Sequence, residues 1–385
     1  KILEKDAKKI SLEDKELEQI IKTSLSSKLD GITLSELVIK SIRTVGNNSL
    51  YNNLFDFDKS IKVIRKINVS DTVFNGIVLE RKRMDQEMPM RILKPKIMIV
   101  KLDLKPVKES WLKENNRYEE ILNMENDRLL KSKKIVNEIM VTGANTLLIA
   151  SPEVDEVIEN LLVAKNIFAT RISSDEIEFL SRYTGAKPVR MIDDLKNNGI
   201  LGNADSIYED EDTGLIYIEN GSGKNIVTII VSGTTKETSL ERWRSVIDGV
   251  NASEAALNRG IVAGGGAAEI HVIENLKSLR LKGLEQVGLD VVASALESIM
   301  RQILTNAGFN GLEKVMAAKA SKPNIGIDID SGELVNMFEK GILDPLLVKL
   351  MALEAAGEIS KSVLRIDRNL AAEDLSQQSV SEIKR

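Results

Sequence analysis

The residues best suited to chemistry lie in Gly260-Ile-Val-Ala-Gly264-Gly265-Gly266-Ala-Ala-Glu269, with Asp248 twelve positions before the first of these glycines. Three consecutive glycines remove every Cβ from a short turn, so the backbone can approach a flat or charged ligand closely. Apolar Ile270 and Val272 behind the turn predict a following helix, and Asp248 falls on an amphipathic helix before it. Turn and carboxylate together read as half of a nucleotide site. The pattern is not the dinucleotide fingerprint G-x-G-x-x-G, because Glu269 stands where the last glycine would fall, and no Gly-Lys-Ser/Thr follows as in a phosphate loop. A tight connection between two helices explains the same glycines without any ligand.

The elements that must position these residues follow from periodicity. Over residues 14–45, Leu17, Ile20, Ile21 and Leu25, then Leu34, Leu37, Val38 and Ile42, recur at three- and four-residue steps and predict helices. Between 60 and 80 the pattern shortens to β-branched runs such as Ile61-Lys-Val63-Ile64 and Gly76-Ile77-Val78-Leu79. A strand-rich stretch from about 76 to 231 carries Ile97-Met-Ile-Val100, Thr146-Leu-Leu-Ile-Ala150, Ile167-Phe-Ala-Thr-Arg-Ile172 and Val227-Thr-Ile-Ile-Val231, with helical segments at 153–164 and 174–184. That is an α/β module. Within it, Trp111 to Met140 scatters apolar residues among many charges and predicts mostly helix, either an exposed projection or an ordinary surface helix pair. From 236 onward strand signals mostly disappear. One helical stripe runs through Leu240, Trp243, Ile247, Val250 and Leu257, another through Leu289, Val292, Leu296, Ile299 and Ile303, and 346–366 gives a third. Helical ends therefore flank an inserted α/β module, which makes the fold class multidomain α/β.

Composition narrows the function classes. At 385 residues the chain is long enough for two or three domains, because single cores stop growing near ~250–300 residues. With 43% apolar and 29% charged residues it is a soluble, globular type of sequence. Its net charge of -5 gives no reason to expect nucleic acid or an anionic membrane. The absence of Cys excludes disulfides and thiolate metal sites, and a single histidine, His271, argues against a His-based triad or zinc site. A reducing cytoplasm is the expected location. The sequence starts at Lys1 and reads as a fragment or trimmed product.

Seven strings occur in a telling order: Thr23-Ser-Leu-Ser-Ser-Lys28, Thr142-Gly-Ala-Asn145, Ile192-Asp-Asp-Leu195, Gly260-Ile-Val-Ala-Gly-Gly-Gly266, Asn306-Ala-Gly308, Met337-Phe-Glu-Lys-Gly-Ile-Leu-Asp-Pro345 and Leu364-Arg-Ile-Asp367. With them the chain resembles a group II chaperonin, the thermosome and its eukaryotic cytosolic relatives, over nearly its whole length. The resemblance implies a subunit of stacked rings that enclose unfolded polypeptide and are driven by ATP and Mg2+. It implies a mostly helical, incomplete equatorial domain at 1–12 and 259–385, a small α+β intermediate domain at 13–75 and 232–258, and an α/β apical domain at 76–231. A helical protrusion at about 106–132 would close the chamber. By the same resemblance Asp248 orients the water that attacks the γ-phosphate, a task of positioning and electrostatics. Gly264, Gly265 and Gly266 would lie against sugar and base, Asp344 would bond the ribose, and Lys28 would sense the terminal phosphate. Plain readings stand beside these: an exposed helix carboxylate for Asp248, a turn or helix-start residue before Pro345 for Asp344, and a solvated lysine for Lys28.

One departure from the family is large. Its amino-terminal Gly-Asp-Gly-Thr-Thr loop, which binds the phosphates and magnesium, is absent, so no metal ligand is assigned in this chain. Gly233-Thr234-Thr235 is the nearest string and lacks the Asp. Without that segment the helices between 267 and 366 should lose packing partners, unless they repack, another chain supplies the part, or the chain is a piece of a larger subunit. Three functions follow: an ATP-dependent folding subunit, a nucleotide-independent holdase, or a structural adaptor on a chaperonin scaffold. Unfolded clients and other chaperonin subunits are the implied partners. Ile158, Leu161, Leu162 and Leu180 could touch clients, although core packing suits most of them better.

Overall fold

The computed structural model describes residues 2–51, 54–102, 104, 118–151, 153–279 and 281–366. The expected strands form at Ile61–Ile67, Gly76–Leu79, Lys96–Val100, Thr146–Ile149, Phe168–Arg171 and Val227–Gly233, and the expected helices between them at Glu156–Ala164 and Glu176–Thr184. Three bodies of packing result.

The first body joins the helices Lys15–Leu25 and Gly31–Val45 to a three-stranded sheet and to the long helix Lys236–Arg259. Ile61–Ile67 and Val227–Gly233 pair in parallel, with Thr72–Phe74 antiparallel on the other side. Leu17, Ile21 and Leu25 lie on one face of their helix and meet Val38, Ile42, Ile229 and Val246 in a shared core. Thr235, in the Gly-Thr-Thr string, caps the long helix by accepting from the Thr238 amide. That is a structural use for the string. Arg242 on the same helix is buried and pairs with Asp71 at 2.6 Å and Asp30 at 3.3 Å, fixing the helix start to two loops of this body.

The second body holds two four-stranded sheets. One has the order Gly202–Asn203, Lys96–Val100, Thr146–Ile149, Phe168–Arg171, and the other Gly76–Leu79, Leu215–Glu219, Ser206–Asp210, Arg91–Leu93. Ile97 and Ile99 point into a core shared between the sheets, with Ile77, Ile207 and Ile216. Met98 and Val100 point the other way, against Val136, Ile139, Ile158 and Leu162 of the helices. Burial on both faces explains why these strands read as continuous apolar runs. Ile158, Leu162 and Leu180 are buried, as core packing requires. The charged segment forms the helix Tyr118–Val141; residues 105–117, which include the first part of the expected protrusion, lie outside the described residues.

The third body is built from helices Ala267–Lys277, Leu284–Asn306, Gly311–Lys319 and Leu346–Leu364, with Leu3 of the helix Ile2–Asp6 packed into it. Its helices bury less than the periodicity predicts. Leu289, Ala293, Leu296, Met300 and Leu304 face inward, whereas Val292 (51%), Ile299 (39%) and Ile303 (37%) of the predicted stripe are exposed. Along Leu346–Leu364 the only buried residue is Leu346. Four short strands also appear here, Ile261–Ala263 paired with Leu343–Pro345 and Ile325–Ile327 with Leu334–Asn336, in a region where the sequence carried little strand signal. No described helix is long and apolar enough to cross a membrane.

Candidate functional site

The long helix Lys236–Arg259 stops at Gly260, whose φ of 87° and close approach to the Lys8 carbonyl oxygen, 2.7 Å from where a Cβ would sit, admit only glycine. The chain then enters Ile261–Ala263, which pairs antiparallel with Leu343–Pro345 in a register that sets Val262 opposite Asp344. Gly264 donates its amide to the Ile342 carbonyl at 3.0 Å. Gly265 and Gly266 both take the left-handed conformation, and Gly266 begins the helix Ala267–Lys277. The glycines therefore join a short strand to a helix, not one helix to another. Packing accounts for part of their requirement: a Cβ on Gly266 would lie 2.8 Å from Met300 Cβ.

The pairing of the two strands brings Asp344 beside the glycine turn. Pro345, not Asp344, occupies the N-cap position of Leu346–Leu364, and the Leu346 amide donates to the Gly260 carbonyl at 3.0 Å. Asp344 is thus a strand residue one step ahead of the cap, which sets aside its reading as the helix-start residue itself. Its side chain is about one-third exposed, and Lys349 Nζ lies 2.8 Å from its Oδ2. The same ammonium donates to Glu269 Oε1 at 2.6 Å. Burial pushes the Lys349 pKa down, but the charges and hydrogen bonds of Asp344 and Glu269 outweigh it and raise the value above that of an ordinary lysine.

Asp248 and Lys28 form a second pair, with Nζ 3.1 Å from Oδ2. Both side chains are exposed, at 51% and 36%, so the pair adds at most ~1 kcal/mol to stability. Its significance is placement. Gly249, next to Asp248, lets the long helix approach Leu25 and Val38 closely, with the nearest atom 3.3 Å from where a Cβ would sit. Lys28 stands three residues past the end of the helix that carries Leu25. That helix also reaches the other pair: Thr23 Oγ1 donates to the Gln19 carbonyl at 2.8 Å and lies 3.3 Å from the Gly341 carbonyl, three residues before Asp344. Asp248 lies about 18 Å from Gly260 along the long helix, given 1.5 Å of rise per residue. Thr23 and Leu25, two residues apart at the end of Lys15–Leu25, thus touch the Gly341 loop and the long helix beside Asp248.

All six residues singled out in the sequence are described: Asp248 with Lys28, and Asp344 beside Gly264, Gly265 and Gly266. Sequence reasoning missed Glu269 and Lys349. Lys349 did leave a trace, as the lone charge in Pro345-Leu-Leu-Val-Lys-Leu-Met-Ala-Leu353. Glu269 entered only as the residue that breaks a dinucleotide pattern.

The TCP-1/cpn60 chaperonin family matches residues 1–374. The chain belongs to that family. A thermosome subunit of Methanopyrus kandleri is 32% identical over 400 aligned residues, covering 98% of this chain and 72% of the relative. The thermosome subunit beta of Aeropyrum pernix is 31% identical, covering 96% of this chain and 71% of the relative. Among solved structures, a group III chaperonin in the open state superposes with a TM-score of 0.80 at 22% identity, covering 96% of this chain and 76% of that one. An open-state monomer of a group II chaperonin from Methanococcoides burtonii gives 0.68 at 22%, covering 95% and 89%. These two structures establish the fold, and the thermosome relatives group the protein with the group II chaperonins, as the motif series implied. It is a chaperonin subunit of multidomain α/β fold.

Proposed function

We propose that this chaperonin chain works in ATP-driven folding of unfolded polypeptides within a ring, and that its own residues supply the sugar-and-base side of the nucleotide site together with the water-positioning carboxylate. The observation that carries this reading is the register that sets Asp344 beside the strand leading into Gly264, Gly265 and Gly266. A carboxylate next to a turn free of Cβ atoms suits a ribose whose base lies against bare backbone. Asp248 is exposed, and its carboxylate can accept a hydrogen bond from a water and orient it toward a terminal phosphate. Lys28 holds that carboxylate now and would turn toward the phosphate charge when nucleotide binds.

The fit to ATP is partial. Turn and Asp344 suit the nucleoside. For magnesium, no group of three or more His, Cys, Asp or Glu able to hold a metal occurs among the described residues, and the Gly-Asp-Gly-Thr-Thr string is absent from the sequence. The domain reading belongs to the same proposal: 1–12 and 259–385 equatorial, 13–75 and 232–258 intermediate, 76–231 apical with a protrusion at about 106–132. Two hydrophobic cores lie within the apical and equatorial stretches and support it, whereas the core of the intermediate stretches also takes Val227, Ile229 and Val231 from the end of the apical range. The cytoplasm is the proposed location.

Titration calorimetry with Mg-ATP tests the nucleotide half, and binding is expected. Asp248→Asn should keep that binding and lower single-turnover hydrolysis by about 10²–10⁴-fold, the range for loss of a positioned acid-base group. A chain that suppresses client aggregation identically with and without nucleotide, and binds none, would overturn the reading.

A further inference from the structure

Lys349 has more constraint on it than a structural ion pair requires. Its side chain is 10% exposed, and Nζ bridges Asp344 Oδ2 at 2.8 Å and Glu269 Oε1 at 2.6 Å. Glu269 is 6% exposed, and its second oxygen, Oε2, is buried without a hydrogen-bond partner. Glu269 stands three residues after Gly266, in the first turn of the helix that the glycine turn launches. Asp344 lies on the strand paired to the approach of that turn. One ammonium thus ties together the elements on both sides of the glycines.

The arrangement is asymmetric. Glu269 lies on the buried side of Lys349, while Asp344 is 34% exposed. Lys349 engages one of the two Asp344 oxygens, which limits the carboxylate's rotation and leaves the other oxygen available to a second donor. A carboxylate oriented in advance by a buried partner binds a hydroxyl without losing further rotamer freedom.

We propose that Lys349 is a positioning residue: held from behind by Glu269, it orients the Asp344 carboxylate for the hydroxyls of a nucleotide's ribose. The proposal rests on the nucleotide reading above. Its consequence is selectivity for the sugar, because a site built to bond hydroxyls penalises an analogue that lacks them.

The test compares Mg-ATP with Mg-2′,3′-dideoxy-ATP by titration calorimetry on the full chain. The wild type is expected to bind ATP about tenfold or more tightly than the dideoxy analogue, as for a hydrogen bond to a charged group. Lys349→Met alone would strand Glu269 in the core, so the informative variant is Lys349→Met with Glu269→Gln, which removes both charges together. In it, ATP affinity should fall to the level of the analogue while analogue affinity stays unchanged. Lys349→Leu with Glu269→Leu provides a second variant with the same expectation if the first pair does not fold, as monitored by thermal melting. Equal weakening of both nucleotides would show a merely structural Lys349 and overturn the proposal. Equal binding of the two by the wild type would overturn it together with the Asp344–ribose contact, while ATP binding by the chain would stand. A wild type that binds no Mg-ATP would overturn both.

Discussion

At the scale of single residues, the site's glycines and its largely covered lysine meet different physical demands. Gly266 has φ of 81° and no room for a side chain, because a Cβ would press on Met300 Cβ at 2.8 Å. Gly266→Ala is therefore expected to cost more than the ~1–2 kcal/mol of a left-handed alanine, and a lowered thermal midpoint checks it. Lys349 makes an opposite kind of contribution, one that depends on pH. Its folded pKa is raised, with burial opposing and the Asp344 and Glu269 carboxylates prevailing. The stability it adds is then fully present below the unfolded lysine value, ~10.4, and is lost as pH rises through the higher folded value. Denaturant midpoints of the wild type should show no decline from this group between neutrality and that alkaline range. A loss beginning near pH 8 would contradict the ion-pair assignment. The Lys28 and Asp248 pair, exposed on both sides, adds little to stability.

Among the elements, the helix Tyr118–Val141 is bound to its body at its second half, where Val136 and Ile139 are buried, and by a two-pronged ion pair nearer its middle. Arg128 Nε and Nη2 donate to the two oxygens of Asp155 at 2.7 and 2.8 Å. Asp155 also caps Glu156–Ala164 by accepting from the Val157 amide at 2.9 Å. The Arg128 hydrogen bonds lower the Asp155 pKa first, burial opposes them, and the Val157 amide adds to the lowering. Stability from this group is accordingly present above the unfolded aspartate value, ~3.9, and is lost as pH falls through the lower folded value. Asp155→Asn retains a capping oxygen but gives up the charge, at a cost of about 1.5–3 kcal/mol for hydrogen bonds to a charged group. Hydrogen exchange should quicken along Tyr118–Val141 while Lys236–Arg259, packed in another body, stays protected. Uniform quickening across both helices would exclude this local anchor.

Over the whole molecule, the uneven burial of the third body matters most. Leu284 (89%), Val287 (57%) and Val291 (63%) are exposed on one helix, and Met351 (61%), Ile359 (65%) and Leu364 (85%) on another. Apolar residues gathered on helix faces in this way mark interaction surfaces on soluble proteins. The expectation that helices between 267 and 366 lack packing partners corresponds to this exposure. The chain is therefore expected to associate: sedimentation velocity should show a concentration-dependent shift to larger species, and Val291→Glu with Met351→Glu should move it toward the monomer. A single monomeric boundary for the wild type at all concentrations would refute the prediction.

By itself the sequence determined the element types wherever the periodicity was strong, and the family through an ordered series of motifs. Ile97-Met-Ile-Val100 reads as an apolar run of strand length and forms a strand, and Leu17, Ile20, Ile21 and Leu25 recur at helical steps and lie on a helix. Both follow from steric rules that act within a few residues. Tertiary structure alone decided which helix faces stay covered. Val292 and Leu296 look equally apolar in the sequence, yet only Leu296 finds a core. It also decided the charged contacts. Glu269 and Lys349 are 80 positions apart, and no local pattern announces their meeting. Their contact follows from the pairing of Ile261–Ala263 with Leu343–Pro345, which closes a long loop and delivers both side chains to one small volume.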